Sequence, residues 1–184
     1  MRFTVKSTTT LILASKSPRR IELMTLAGFG FLSVPAVKEE KIPDGTAPSD
    51  AVLMLSRQKA VEIAEKYPSD IVIGADTVVA LGNEIMGKPE NEQDAFDMLN
   101  KLSGKTHTVL TGVCVISPDK QINFYEKTEA EFYPLGDDEI RQDIANGIQE
   151  KGAMFVKRIN GDFYNVVGLP VARLARELNA LTEK

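Results

Sequence analysis

The spacing of apolar positions switches along this chain between the period of a strand and that of a helix, and each switch marks an element. Residues 9–14 end in an apolar run and predict a strand. Ser17 then offers an N-cap and Pro18 a first-turn residue, with Ile21, Met24 and Ala27 on one face and Gly28 as terminator. A loop through "VPAVKEEKIPDGTAPSD" leads to a second helix over roughly Ser49 to Lys66, closed by Pro68. "DIVIGADTVVAL" is the most strand-like stretch of the chain, and Gly82-Asn83 turns it back through "EIMGKP". A third helix covers about Gln93 to Leu102, with Gly104 behind it.

"THTVLTGVCVI" and "KTEAEFYPL" predict two further strands, and "DDEIRQDIAN" a short helix capped by Asp137. "AMFVKRI", Asn160-Gly161 and "FYNVVGL" predict a hairpin, since Asn-Gly suits a two-residue turn. After Pro170, Val171, Leu174, Leu178 and Leu181 recur at helical spacing. Helices mixed with strands and hairpins predict an α/β fold with a mixed sheet rather than a purely parallel one.

Composition narrows the chemistry. A chain of 184 residues, 43% hydrophobic, is expected to form a single domain over residues 1–184 with a sizeable core. The net charge of −4 lacks the basic surplus of a protein that coats nucleic acid, so no stable nucleic-acid binding is expected. One cysteine, Cys114, excludes an internal disulfide and a Cys-rich metal site. With one histidine besides, a metal would be held mainly by oxygens, as hard cations such as Mg²⁺ or Mn²⁺ are. The four-residue apolar run Leu11 to Ala14 is too short for a signal-peptide core or a membrane span, so a cytoplasmic protein with no membrane partner is expected. Monomer and homodimer both stay open.

Several residues sit where elementary electrostatics would not put them. Arg19 and Arg20 lie at the start of a helix, whose N-terminus is itself partly positive. An anion there would resolve the conflict, and Ser15 and Ser17 could add hydroxyl donors; two solvated arginines would cost only about 0.3 to 1 kcal/mol each. Asp76 is flanked by apolar residues and needs a cation, a set of donors or an exit to water. Gly74 and Ala75 keep its approach uncrowded, which would suit a ligand. Lys59 lies in line with Leu55 and Ile63, so its ammonium either snorkels to water or enters a site. Lys88 in "MGKPE" and the pair Glu39-Glu40 are compatible with plain charged loops. His107 is expected to be a strand residue with a satisfied ring and Cys114 a core residue.

The segments "LILASKSPRR", "RQKA", "IVIGADTVV", "GKP", "KLSGKTHTVLTGV" and "FVKRINGDFYNVVGLP" resemble, in order and over nearly the whole chain, the Maf-type nucleoside triphosphate pyrophosphatases. The resemblance implies an elongated mixed α/β sheet like that of inosine triphosphate pyrophosphatases. It implies cleavage of a nucleoside triphosphate between the α and β phosphates, with a divalent cation, Mg²⁺ or Mn²⁺, at Asp76 and Glu40. By the same resemblance Asp76 is the catalytic acidic residue, Glu40 its partner, Lys59 and Lys88 the phosphate-facing lysines, and Ser15, Arg19 and Arg20 the phosphate-binding turn. Arg19, Thr77 and Gln149 match the specificity positions of the branch acting on dTTP and UTP, whereas the 7-methyl-GTP branch differs at the threonine. A pyrophosphatase for 7-methyl-GTP or other modified nucleotides is the alternative within enzymes, and a non-enzymatic nucleotide-binding regulator of cell division the alternative outside them. A pure binder, however, has no need of a carboxylate beside phosphate-binding cations. In one place the chain departs from the family, which carries a Lys-Ala-Gly-x-Tyr segment between the short helix and Gly147; here "DEIRQDIANGIQEKG" runs straight through. We expect that residues are missing from the sequence at this point rather than naturally deleted, since connections commonly run about 4 to 6 residues.

Overall fold

Strand β3 (Ile71–Leu81), eleven residues long, is the axis of the fold. The structure is a computed structural model that describes residues 9–145 and 152–182. On one side of β3 lies β1 (Leu11–Leu13), parallel to it, and beyond β1 the short parallel strand β2 (Leu32–Ser33). On the other side β5 (Thr106–Ile116) runs antiparallel, followed by β6 (Gln121–Phe132) and β7 (Val156–Asn160). The order is β2-β1-β3-β5-β6-β7, with β4 (Glu84–Met86) folded back on β3 through Gly82-Asn83. The sheet is therefore mixed, and the domain is α/β as expected. Strand β2, a two-residue edge, has too little pattern to be foreseen.

Helices α1 (Pro18–Leu26), α2 (Pro48–Ala64) and α3 (Glu92–Leu102) fall close to their predicted spans, as does α6 (Val171–Thr182) at the end. Helix α4 (Asp137–Ala145) begins one residue earlier than predicted: Asp137 lies in its first turn, and Ile140 N–H donates to the Gly136 carbonyl. The predicted hairpin over residues 153–169 is corrected more substantially. Residues Gly152–Phe155 form a 3₁₀ turn, β7 follows, and "FYNVV" is a short helix, α5 (Phe163–Val167), rather than a strand. Asp162 caps α5 by accepting from Tyr164 N–H at 2.8 Å. Asn165 turns inward, donating to the Val109 carbonyl and Thr128 Oγ1 at 3.0 Å each. The cap and the buried amide prevail over the strand preference of the β-branched valines.

Because successive strand residues point to opposite faces, the sheet buries apolar residues on both of them. Leu11, Leu13, Ile73, Ala75 and Val113 meet Leu23 and Met24 of α1 and Leu174 and Leu178 of α6. Ile12, Ala14, Val72 and Cys114 meet Ala60 and Ile63 of α2 on the other face. Helix α2 comes unusually close. A Cβ on Gly74 would lie 2.2 Å from the Ser56 carbonyl oxygen, and one on Gly112 2.2 Å from that of Val52. Val52 and Ser56 are one turn apart, so a ridge of helix backbone rests on two glycines of adjacent strands. The space at Gly74 is filled by a helix and not by a ligand, which corrects the expectation for that position.

His107 is buried on β5, edge-on to Phe132 with ring centroids 4.6 Å apart. Its Nδ1 has no hydrogen-bond partner, so the ring is not fully satisfied as expected. Burial pushes its pKa below the ordinary value, with the Lys105 backbone opposing. The unfolded imidazole takes up a proton near ~6.5 and the folded one only at lower pH. Stability is then greatest above the unfolded value and is lost as pH falls through it toward the folded one. Urea midpoints measured between pH 7.5 and 5 should therefore drop more steeply for the native protein than for His107→Leu. Equal slopes would assign the acid sensitivity to another group. Cys114 is fully buried, its thiol pushed up to about 11, as befits a core residue. No described helix is long and apolar enough to cross a membrane.

Candidate active site

On the β1 side, β3 is paired with β1 at residues 71–73 and with β4 at 79–81. Between them, among the described residues, no strand covers that edge. The chain leaves β1 at this gap, and Ser15, buried, begins a turn into α1. Ser15 Oγ accepts from Ser17 N–H at 3.2 Å and from Arg20 Nη1 at 3.5 Å, so its remaining capacity is its own proton. Ser17 holds the N-cap position without a side-chain hydrogen bond to the helix. Pro18, the first residue of α1, has no N–H and Ile21 N–H donates to the Ser17 carbonyl at 3.2 Å, so the Arg19 and Arg20 N–H groups are left without a side-chain cap, as at anion sites.

The two arginines divide. Arg19 is exposed. Arg20 turns inward and donates from Nε to the Gly168 carbonyl and from Nη2 to Thr77 Oγ1, both at 3.0 Å. Burial pulls its pKa below the ordinary value; Asp76 opposes that shift, Arg19 adds to it, and Glu40 again opposes it. A guanidinium stays protonated in proteins, so Arg20 is a permanent charge in a partly dry place. Thr77 Oγ1 also lies 2.9 Å from Thr111 Oγ1, and Thr111 donates to the Asn165 carbonyl at 3.1 Å. This chain of hydrogen bonds ties α1 to β3, β5 and α5.

Asp76 points to the other face, toward α2. Lys59 Nζ donates to its Oδ1 at 2.5 Å and stands 3.1 Å from Glu40 Oε1. The Lys59 and Asp76 side chains are each 14% exposed, Glu40 47%. Lys59 therefore does not snorkel: its stem follows α2 and its charge sits between two carboxylates. Glu39, the neighbouring acid, pairs instead with Lys41 at the surface at 2.9 Å. Asp76 and Thr77 are adjacent in sequence yet flank the open edge of β3 from opposite faces.

Lys88 is not joined to this cluster. It is exposed after β4 and lines a depression of about 620 Å³ with Glu84, Met86, Asp94, Asp97 and Lys101. The β4 pairing sets Met86 opposite Val79, so the chain is running back toward the level of Thr77 when it reaches Lys88. Gln149 and the junction before Gly147 lie outside the described residues.

Residues 10–181 match the family of Maf-like proteins. The chain belongs to the Maf family. Among curated relatives, a dTTP/UTP pyrophosphatase of Bacillus cereus is 49% identical over 178 residues, covering 91% of this chain and 93% of that protein. The corresponding Bacillus anthracis protein is 48% identical, with the same coverage. Among solved structures, a HAM1 protein from Coxiella burnetii superposes with a TM-score of 0.57 at 12% identity, covering 96% of this chain and all of that one. At that identity the likeness speaks for the fold alone.

Within this Maf-family fold, sequence reasoning missed the residues that hold the site together. Glu62 and Gln58 on α2 bind the backbone of the loop that carries Glu40. Thr111 and Asn165 support Thr77 from behind. Only Glu62 carried a usable signal, an acid one turn beyond Gln58 next to an apolar residue, Ile63, that is fully buried.

Proposed function

We propose that this Maf-family chain hydrolyses dTTP and UTP to the nucleoside monophosphate and pyrophosphate. The observation that carries the reading is the meeting of Lys59 with Asp76 and Glu40 beside the uncapped, arginine-bearing start of α1. The substrate class follows the relatives, which are dTTP/UTP pyrophosphatases. Water attacks the α-phosphorus, the bond to the oxygen bridging α and β breaks, and pyrophosphate leaves. With Oδ1 held by Lys59, Asp76 Oδ2 is the oxygen left to take the proton of the attacking water. The α1 N–H groups, Arg19 and the Ser15 proton meet charge that grows on the departing phosphates. Arg20, held by Gly168 and Thr77, orients this turn from below. Lys88 would approach the phosphates from the β4 side.

Asp76 and Glu40 come from different elements and share the Lys59 ammonium, so a hard divalent cation would take the oxygens that Lys59 leaves, Glu40 Oε2 and Asp76 Oδ2, the latter then as ligand in place of proton acceptor. Among the described residues no group of three or more acidic, His or Cys side chains is placed to hold a metal ion, so phosphate oxygens and water would complete the shell. Mg²⁺ or Mn²⁺ held by these two carboxylates would supply Lewis-acid polarisation of the α-phosphate.

The purified protein, assayed with Mg²⁺ or Mn²⁺ against dTTP, UTP, GTP and 7-methyl-GTP, should release pyrophosphate rather than orthophosphate. We expect kcat/KM for dTTP and UTP to exceed that for the two purines about tenfold or more, a difference of about 1.4 kcal/mol in transition-state binding. An advantage for 7-methyl-GTP would overturn the substrate choice alone. Failure to release pyrophosphate from any of the four would overturn the reaction.

A further inference from the structure

Glu40 sits in the connection over residues 34–47, which has no helix or strand of its own and is mostly exposed. A connection of that length has little intrinsic reason to keep one glutamate in one place. Yet the loop lies along α2 in a defined register. Val34 and Ala36 pack against the cluster containing Ala60 and Ile63. Just beyond them, the Glu62 carboxylate accepts from Val37 N–H, 3.1 Å from each oxygen, and from Lys38 N–H at 3.0 Å. One turn back along α2, Gln58 closes a reciprocal pair with Lys41. Its Oε1 accepts from Lys41 N–H at 3.2 Å, and its Nε2 donates to the Lys41 carbonyl at 2.6 Å. Glu40 lies between these two anchor points, and Lys59 follows Gln58 on the same helix.

The Glu62 side chain is 3% exposed, and a carboxylate so placed needs strong donors. The charge-assisted bonds from the loop supply them, with the Lys66 ammonium 3.8 Å away. The Lys38 and Val37 N–H groups hold its carboxyl below the usual carboxylate range. Both anchors bind loop backbone, whereas Lys59 alone bonds the Asp76 and Glu40 carboxylates from α2. We propose that Glu62 and Gln58 are positioning residues that clamp residues 37–41 to α2 and so set Glu40 against Lys59. This rests on the reading of Glu40 as part of the site.

A double-mutant cycle tests it, with pyrophosphate release from dTTP and hydrogen exchange at the 37–41 amides as readouts. Glu40→Gln should lower kcat/KM, and Glu62→Ala should lower it by about ten- to hundredfold, the order that a misplaced group costs. Glu62→Gln keeps an acceptor oxygen and should restore part of the loss. In the Glu40→Gln background, adding Glu62→Ala should cost less than about twofold more, because the group it positions is already gone. Exchange at Val37 and Lys38 should quicken in Glu62→Ala. Gln58→Ala, which removes the other anchor, should behave likewise and serves should Glu62→Ala fail to fold. Equal fold-losses from Glu62→Ala in both backgrounds would overturn the clamp in favour of general destabilisation. Unchanged exchange and activity in both anchor variants would overturn it outright. An inert Glu40→Gln with quickened exchange in Glu62→Ala would instead remove Glu40 from the site, leaving the clamp without its catalytic purpose.

Discussion

Asp76→Asn should lower pyrophosphate release from dTTP by about 10²- to 10⁴-fold while the protein stays folded. Asparagine has almost the same shape and still offers Lys59 an acceptor oxygen. What it loses is the negative charge and the ability to take a proton from water. Removing one partner of a buried ion pair costs about 3–5 kcal/mol when the other charge is left alone. Here Glu40 remains 3.1 Å from Lys59 and the pair has some access to water, so a smaller loss of stability is expected. Steady-state assays beside circular dichroism separate the two effects. A native-like spectrum with turnover within tenfold of the unmodified protein would remove Asp76 from the chemistry.

Gly74→Ala should cost both stability and activity, although it adds only one methyl group. The added carbon would lie 2.2 Å from the Ser56 carbonyl oxygen, 2.6 Å from the Ala60 nitrogen and 2.9 Å from Ala60 Cβ. Two of these are backbone atoms, so no side-chain rotation relieves the clash and α2 must move off the sheet. Overpacking of this kind costs about 1–3 kcal/mol, occasionally more. Lys59 is the residue before Ala60, so the displaced helix carries the ammonium away from Asp76. A misplacement of about 1 Å can cost on the order of 10²-fold in rate. Gly30→Ala is the control: a Cβ there meets nothing within 4 Å, and both urea midpoint and kcat/KM should stay put. If Gly74→Ala matched Gly30→Ala in both, the close approach of α2 would not be what holds Lys59 in place.

Both variants probe the same simple construction. A strand edge left open between β1 and β4 is approached on one face by a lysine from α2 and on the other by an arginine from α1. Asp76 and Thr77 reach the two faces merely by being consecutive residues of one strand. A nucleotide at this edge would lie between Asp76 and Lys59 on one face and the α1 turn, tied to Thr77 through Arg20, on the other.

Most of the elements were legible along the chain because they depend on neighbours within a helical turn or a strand repeat. The helices after Ser17 and Pro170 and the hairpin at Gly82-Asn83 are decided by such local terms. So was the oddity of Asp76 in an apolar strand and of two arginines at a helix start. The element "FYNVVGL" was misread because its apolar residues suit either form at short length. Its helix depends on Asp162 as a cap and on Asn165 reaching Val109 and Thr128, 56 and 37 residues away. Gly74 was misread for the same reason: what occupies the space above it is the backbone of a helix that packing, not spacing, brought there. Which arginine faces solvent, which glutamate meets Lys59, and what holds that glutamate are equally nonlocal. Arg20 is turned inward by a carbonyl 148 residues away, and the Glu40 loop is held by side chains 17 to 25 residues on. Local propensity carries no information about such partners, because a hydrogen bond between distant residues exists only after the sheet and its helices have brought its two ends within about 3 Å.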